Sequence, residues 1–280
     1  MPPGPNGADG EGPTQPGAPE RRTSSTRNHV ISIIVIWLIL TAIGEVLVFT
    51  PGLFPTVGSP EAEHFDEIFR FLMILGVPVV TFVFTMLGYS LFVWRRRGPT
   101  LEDGPPQRSH HLIPKLWLLV TGTLAVFVMI HPGLTGLAKL QTELTGYGWG
   151  ERDTDLVVDV TAFQFSWTME YVDYDVTVSV VHGGELVLPV DRSVRFDVNS
   201  TDVVHSFWIP AFRMKIDAIP GRTTYFSVTP EVEGDYATDQ AYRVQCAELC
   251  GVDHGVMDFP VRVVSEDEFE RWISALQDGG

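Results

Sequence analysis

The chain has 280 residues, a formal net charge of -16 and only two cysteines. Such acidity excludes a phosphate-binding face for nucleic acid, and two thiols four positions apart exclude a disulfide framework while pointing to a metal or redox site. The Asp and Glu residues are scattered, so they suit a basic protein partner or a surface adapted to high salt equally well.

Residues 1–29 are rich in Pro, Gly, Ser and charge and have no apolar period, which predicts a disordered cytoplasmic tail. Apolar runs at about 30–49, 71–94 and 112–130 are each long enough to cross a bilayer as a helix of roughly 20 residues. Arg21, Arg22 and Arg27 before the first run and Arg95, Arg96 and Arg97 after the second are cytoplasmic signals, whereas Glu61, Glu63, Asp66 and Glu67 fill the loop between them. Three crossings within 30–131 therefore predict a multi-pass protein of the cell membrane, with everything after residue 131 outside the cell. A cleaved signal peptide is the alternative for the first run, though its apolar stretch is longer than a usual signal core. Glu45 near the outer end of that run is read as an interfacial carboxylate.

A linker over 132–154 leads into strand-like segments at Leu156–Val160, Val176–Val181, Glu185–Val190, Val194–Val198, Thr223–Val228 and Phe259–Val264. Gly183-Gly184, Pro220-Gly221 and Glu233-Gly234-Asp235 punctuate them, which predicts a small antiparallel sandwich or barrel over 155–265. Residues 266–280 are expected to form a C-terminal helix and tail, opened by Ser265 as N-cap with acidic residues in the first turn.

The chemistry concentrates in Cys246-Ala247-Glu248-Leu249-Cys250-Gly251-Val252-Asp253-His254-Gly255-Val256-Met257. Two thiols, an imidazole and a thioether so close together favour copper, because a thioether is not a structural-zinc ligand. One copper needs one Cys, two His and a weak Met, so Cys246 is surplus to a single-ion site. A second thiolate lets both sulfurs bridge two ions. His205, in Thr201-Asp202-Val203-Val204-His205-Ser206-Phe207-Trp208-Ile209-Pro210, supplies the missing imidazole.

These two segments, with Phe212-Arg213-Met214-Lys215-Ile216-Asp217-Ala218-Ile219-Pro220-Gly221-Arg222, resemble subunit II of the haem-copper oxidases of the cytochrome c oxidase type. The resemblance covers the chain from about residue 112 onward. It implies a membrane α-helical anchor followed by an all-β, cupredoxin-like Greek-key sandwich or barrel. It also implies two copper ions forming a CuA centre, bridged by Cys246 and Cys250, with His205 and Met257 completing one ion and His254 the other. Glu248 has two implied roles: a weak carbonyl ligand to copper, and a carboxylate reaching a magnesium ion shared with subunit I. The implied partners are subunit I, other oxidase subunits, the membrane and a donor that is a cytochrome c or a blue-copper protein; no nucleic acid is expected.

In that family an aromatic segment receives the electron, and its counterpart here is Gln164-Phe165-Ser166-Trp167-Thr168-Met169-Glu170-Tyr171. Phe165 stands where the family pattern has Trp, Trp167 is retained, and both are alternatively ordinary core. Asp202 matches an acidic docking position. The chain has one helix more than the family's two, and Arg108–Lys115 shows no equivalent of its proton-feeding Glu; His110 and His111 there are read as interfacial anchors. The function implied is electron entry into an oxidase that reduces oxygen to water with proton translocation, the reduction itself occurring in the partner. The CuA subunit of a nitric oxide reductase and a free-standing membrane cupredoxin remain the alternatives.

Overall fold

The computed structural model describes residues 23–95, 112–140, 154–179 and 183–278. The expected tail up to residue 22, Arg96, Arg97, His110, His111 and most of the linker lie outside the described residues. Among the described residues, three helices are long and apolar enough to cross a membrane. The first, α1, spans Thr23–Val48 and the second, α2, spans Pro60–Phe92.

Helix α2 starts well before its apolar run for a local reason. Pro60 suits the first helical turn, the Ala62 amide donates to Ser59 Oγ at 3.3 Å, and Glu61 and Glu63 sit at the positive end of the helix. The stretch of α1 up to Gly44 packs on α2 from Val77 onward. There Trp37 Nε1 donates to the carbonyl of Pro78 at 2.8 Å, the hydroxyls of Thr41 and Thr81 meet at 2.8 Å, and a Cβ on Gly44 would lie 2.6 Å from Val77 Cγ1. Small residues here let the backbones approach closely.

The third helix, α3, spans Leu112–Val128; the backbone leaves helical geometry at His131, with φ -134° and ψ 115°, before α4, Thr135–Lys139. Pro132 follows that break and lacks the N–H that would continue a regular helix.

Among the described residues the β domain has eleven strands: β1 Leu156–Phe163, β2 Ser166–Tyr171, β3 Val176–Ser179, β4 Leu186–Pro189, β5 Val194–Ser200, β6 His205–Ile209, β7 Met214–Ala218, β8 Thr224–Val228, β9 Gly234–Asp235, β10 Arg243–Cys246 and β11 Asp258–Val264. They form one sheet in the order β3-β2-β1-β5-β8 and another in the order β4-β11-β10-β6-β7, with β9 on β11. Leu156, Val158, Val160 and Ala162 of β1 alternate inward, as their period of two requires. The expectation of wholly antiparallel sheets is corrected, because β1 pairs parallel with β5, and β4 parallel with β11. Alternation fixes which face is buried and carries no information on strand direction.

After β11 comes α5, Glu266–Asp278, which buries Phe269 and Ile273 and carries Glu266, Asp267 and Glu268 in its first turn. The Ser265 carbonyl accepts from the amides of Glu268 and Phe269, so Ser265 does sit at the helix start.

Elsewhere in the same compact unit, the chain before α2 is pinned to the turn after β6. Arg213, in the left-handed region at φ 58°, forms a bidentate pair with Asp66, both contacts at 2.8 Å. Its guanidinium also donates to the carbonyls of Pro55 at 2.6 Å, Thr56 at 3.1 Å and Pro210. The Gly58 amide adds a bond to the Ala211 carbonyl at 2.9 Å.

Candidate metal centre

Three strand ends converge to make the site. Cys246 closes β10 opposite Phe207 of β6, His205 opens β6, and Met257 immediately precedes β11. The loop from 247 to 256 is tied at its base, where the Cys246 amide donates to the Met257 carbonyl at 3.1 Å and the Ala247 amide to the Ser206 carbonyl at 2.9 Å. Two sheet-borne ligands and a loop with fixed ends give a site with little freedom.

The donor atoms cluster around the two thiols. Cys246 Sγ lies 3.8 Å from Cys250 Sγ and 3.8 Å from His205 Nδ1, while Cys250 Sγ lies 3.5 Å from His254 Nδ1 and 3.7 Å from Met257 Sδ. The Glu248 carbonyl is 3.2 Å from Cys246 Sγ. A disulfide would place the sulfurs about 2.05 Å apart. Separations of 3.5–3.8 Å instead suit neighbouring donors that each sit roughly 2.0–2.3 Å from a shared ion. The ligand atoms of His205, Cys246 and Cys250 all fall within 4.8 Å of one another, and all three residues are buried. Soft sulfur with imidazole is a copper donor set, so the residues fit the expected metal.

Electrostatics show what the metal-free loop costs. Burial first, and then the neighbouring Cys246, push the Cys250 thiol up to about 11, because a thiolate there is poorly solvated and repelled. A bound cation reverses that preference.

The imidazole of His205 is oriented from behind, its Nε2 lying 2.9 Å from Asp202 Oδ1 and leaving Nδ1 toward the sulfurs. Partial burial alone would raise the Asp202 carboxyl. The hydrogen bonds from His205 and from the amides of Gln164 and Val203 outweigh it and hold the group down at about 2.

The structure brings Cys246, Cys250, His205, His254 and Met257 together and leaves the Glu248 side chain exposed beside them. Phe165 is half-buried and rests on the copper loop: a Cβ on Gly251, whose φ is 145°, would lie 2.8 Å from its ring. Only glycine fits there. Trp167 is fully buried, with its ring centroid 6.1 Å from that of His205, so it makes no surface contact.

One residue of the site carried no functional expectation. Gln164 donates its side-chain amide to the Cys250 carbonyl at 2.6 Å, and its only sequence signal was its place at the head of the aromatic segment.

Residues 178–264 match the family described as cytochrome C oxidase subunit II, periplasmic domain. A cytochrome c oxidase subunit 2 from Synechocystis sp. is 29% identical, over 88% of this chain and 80% of its own length. A probable cytochrome c oxidase subunit 2 from Streptomyces coelicolor is 28% identical, over 99% of this chain and 92% of its own. The crystal structure of the periplasmic domain of cytochrome oxidase subunit II from Bradyrhizobium japonicum is 31% identical, with a TM-score of 0.41, covering 46% of this chain and 97% of that one. With every clustered thiol, imidazole and thioether inside its matched segment, the chain belongs to the cytochrome c oxidase subunit II family.

Proposed function

We propose that the chain is the electron-entry subunit of a haem-copper oxidase and holds a binuclear copper centre of the CuA type. The observation that carries this reading is the pairing of both thiols at 3.8 Å, each with its own imidazole. A single-ion site has no use for the second thiol. Cys246 and Cys250 would hold both ions between them, with His205, Met257 and His254 completing the donor set and the Glu248 carbonyl as a weak ligand; when bound, the copper pair would supply one-electron redox chemistry.

Around it the chain's own residues divide the work. Phe165, half-buried on the copper loop, is the contact that a donor meets, and buried Trp167 stiffens the strand behind it. The donor is a cytochrome c or a blue-copper protein, brought in by the acidic surface, whose formal net charge over the whole chain is -16. Electrons would leave toward haem in subunit I, where oxygen would be reduced with proton translocation, and the exposed Glu248 carboxylate would hold a magnesium ion at that boundary. Helices α1 to α3 cross the cell membrane with the N-terminus inside, which puts the β domain on the extracellular side.

The test is metal content and electron-spin resonance of the full-length chain in detergent after copper loading. Two coppers per chain with hyperfine coupling shared between them are expected, falling to at most one in Cys246→Ser. One copper in the unchanged chain, or a spectrum that Cys246→Ser leaves untouched, sinks the binuclear reading. Oxygen or nitric oxide consumption by the purified complex separates the oxidase from the reductase.

A further inference from the structure

The turn between β1 and β2 does more than expose an aromatic ring. Its two residues, Gln164 and Phe165, reach the metal site along separate routes. The Gln164 side chain donates to the Cys250 carbonyl at 2.6 Å, while the Phe165 ring covers Gly251, the next residue of the loop. The Gln164 backbone amide donates to Asp202 Oδ2 at 2.6 Å, and the other oxygen of that carboxylate meets His205 Nε2 at 2.9 Å.

Both oxygens of Asp202 are thus engaged by groups of its own domain. Oδ1 also accepts from the Val203 amide at 2.6 Å and the Ser200 hydroxyl at 3.2 Å. A carboxylate with four hydrogen-bond partners, counting Gln164, is fixed in place and poorly free to follow an incoming protein.

We infer that Gln164 and Asp202 are positioning residues of the metal centre, one holding the Cys250 side of the loop and the other the His205 imidazole. This assigns Asp202 a role different from the docking contact its position first suggested. It rests on the copper reading above, because the residues act on the ligands of that centre. A histidine ligand that donates its second N–H to a carboxylate is both oriented and made more basic, which stabilises the higher metal charge; loss of such a partner typically weakens metal binding by 10–100-fold. The bond to Cys250 acts differently. It leaves ligand basicity alone and limits the swing of the loop that carries one bridging thiol.

The experiment uses full-length copper-loaded protein carrying Asp202→Ala, Asp202→Asn, Asp202→Glu or Gln164→Leu, with three readouts: reduction potential, electron-spin resonance, and the rate of copper loss to a chelator. Asp202→Ala is expected to raise the potential and to speed copper loss by about 10–100-fold. Asp202→Asn keeps an acceptor of the same shape without the charge, so it raises the potential with a smaller change in copper loss. Asp202→Glu restores the potential in part. Gln164→Leu speeds copper loss several-fold at nearly unchanged potential.

Should Asp202→Ala fail to fold, Asp202→Asn and Gln164→Leu decide alone. The inference is overturned if these variants keep the parent potential, spectrum and copper-loss rate and differ only in a salt-dependent rate of reduction by cytochrome c. That result would return Asp202 to docking. If the unchanged chain binds no copper pair, it is the functional reading that fails, and the two outcomes are told apart by the parent protein.

Discussion

At the metal end of the β domain, order comes from hydrogen bonds that converge on a few ligand atoms; at the far end it comes from aromatic burial. Near Cys246 the chain uses backbone amides, Asp202 and Gln164 to aim donor groups at a common point. Five residues along β2 from its first residue, Tyr171 meets Phe269 and Trp272 of α5, with ring centroids 6.1 and 5.4 Å away. Arg192 lies over the Phe269 ring and pairs with Glu266 at 3.0 Å, and Arg262 pairs with Glu185 at 2.8 Å. The metal end pays in buried thiols and needs an ion to offset them, whereas the far end needs nothing from outside the chain. Stability and function are therefore placed at opposite ends of the same strands.

The comparison breaks most visibly if the far end proves to matter to the metal. Phe269→Ala removes a fully buried ring and is expected to cost about 3–5 kcal/mol in urea unfolding of the metal-free chain. Folded Phe269→Ala protein should still give the parent copper spectrum. An altered hyperfine pattern in that folded fraction would show that α5 reaches the site. Tyr171→Phe is a smaller probe of the same end. The Tyr171 hydroxyl accepts from the Val187 amide at 2.9 Å and donates to the Val187 carbonyl at 2.8 Å. Its loss leaves both groups buried without a partner, an expected cost of about 1–3 kcal/mol, again without effect on the spectrum.

How legible each end was follows from the range of its interactions. The loop from Cys246 to Met257 was readable because its donors are close in sequence, and the apolar runs were readable because length alone defines them. Strands β1, β3, β4, β5, β8 and β11 showed Val-rich or alternating segments that marked them. Strand β6 reads His-Ser-Phe-Trp-Ile, nearly all buried, so it lacks alternation, and β10 spans only Arg243–Cys246. These two strands nonetheless carry His205 and Cys246. The bond of Asp202 to the Gln164 amide and the reach of Gln164 to Cys250 join residues 38 and 86 positions apart, which no local pattern encodes. Parallel pairing of β1 with β5 was hidden for the same reason.

The weakest expected effect lies between the two ends and asks what the acidic surface itself costs. Asp159 of β1 stands opposite Glu170 of β2 and Asp197 of β5 on one rung of the sheet. Burial first, then the charges of Asp197 and Glu170, raise its carboxyl above the ordinary 3.8; Arg195, paired with Asp197 at 2.7 Å, offsets part of this. A carboxyl with a raised folded-state pKa holds its proton more tightly in the native protein than in the unfolded chain. Stability is therefore lost as the pH rises from the unfolded value through the folded one, and the cost is complete at neutral pH. Asp159→Asn is accordingly expected to stabilise the protein near pH 7, by no more than about 1 kcal/mol because the site is partly exposed and screened. The gain should shrink in high salt and vanish near pH 3, where the aspartate is already protonated. Urea midpoints at both pH values measure it. A gain that survives at low pH would assign the effect to strand packing, and the rung's three carboxylates would then be neutral to stability, as a surface adapted to salt requires.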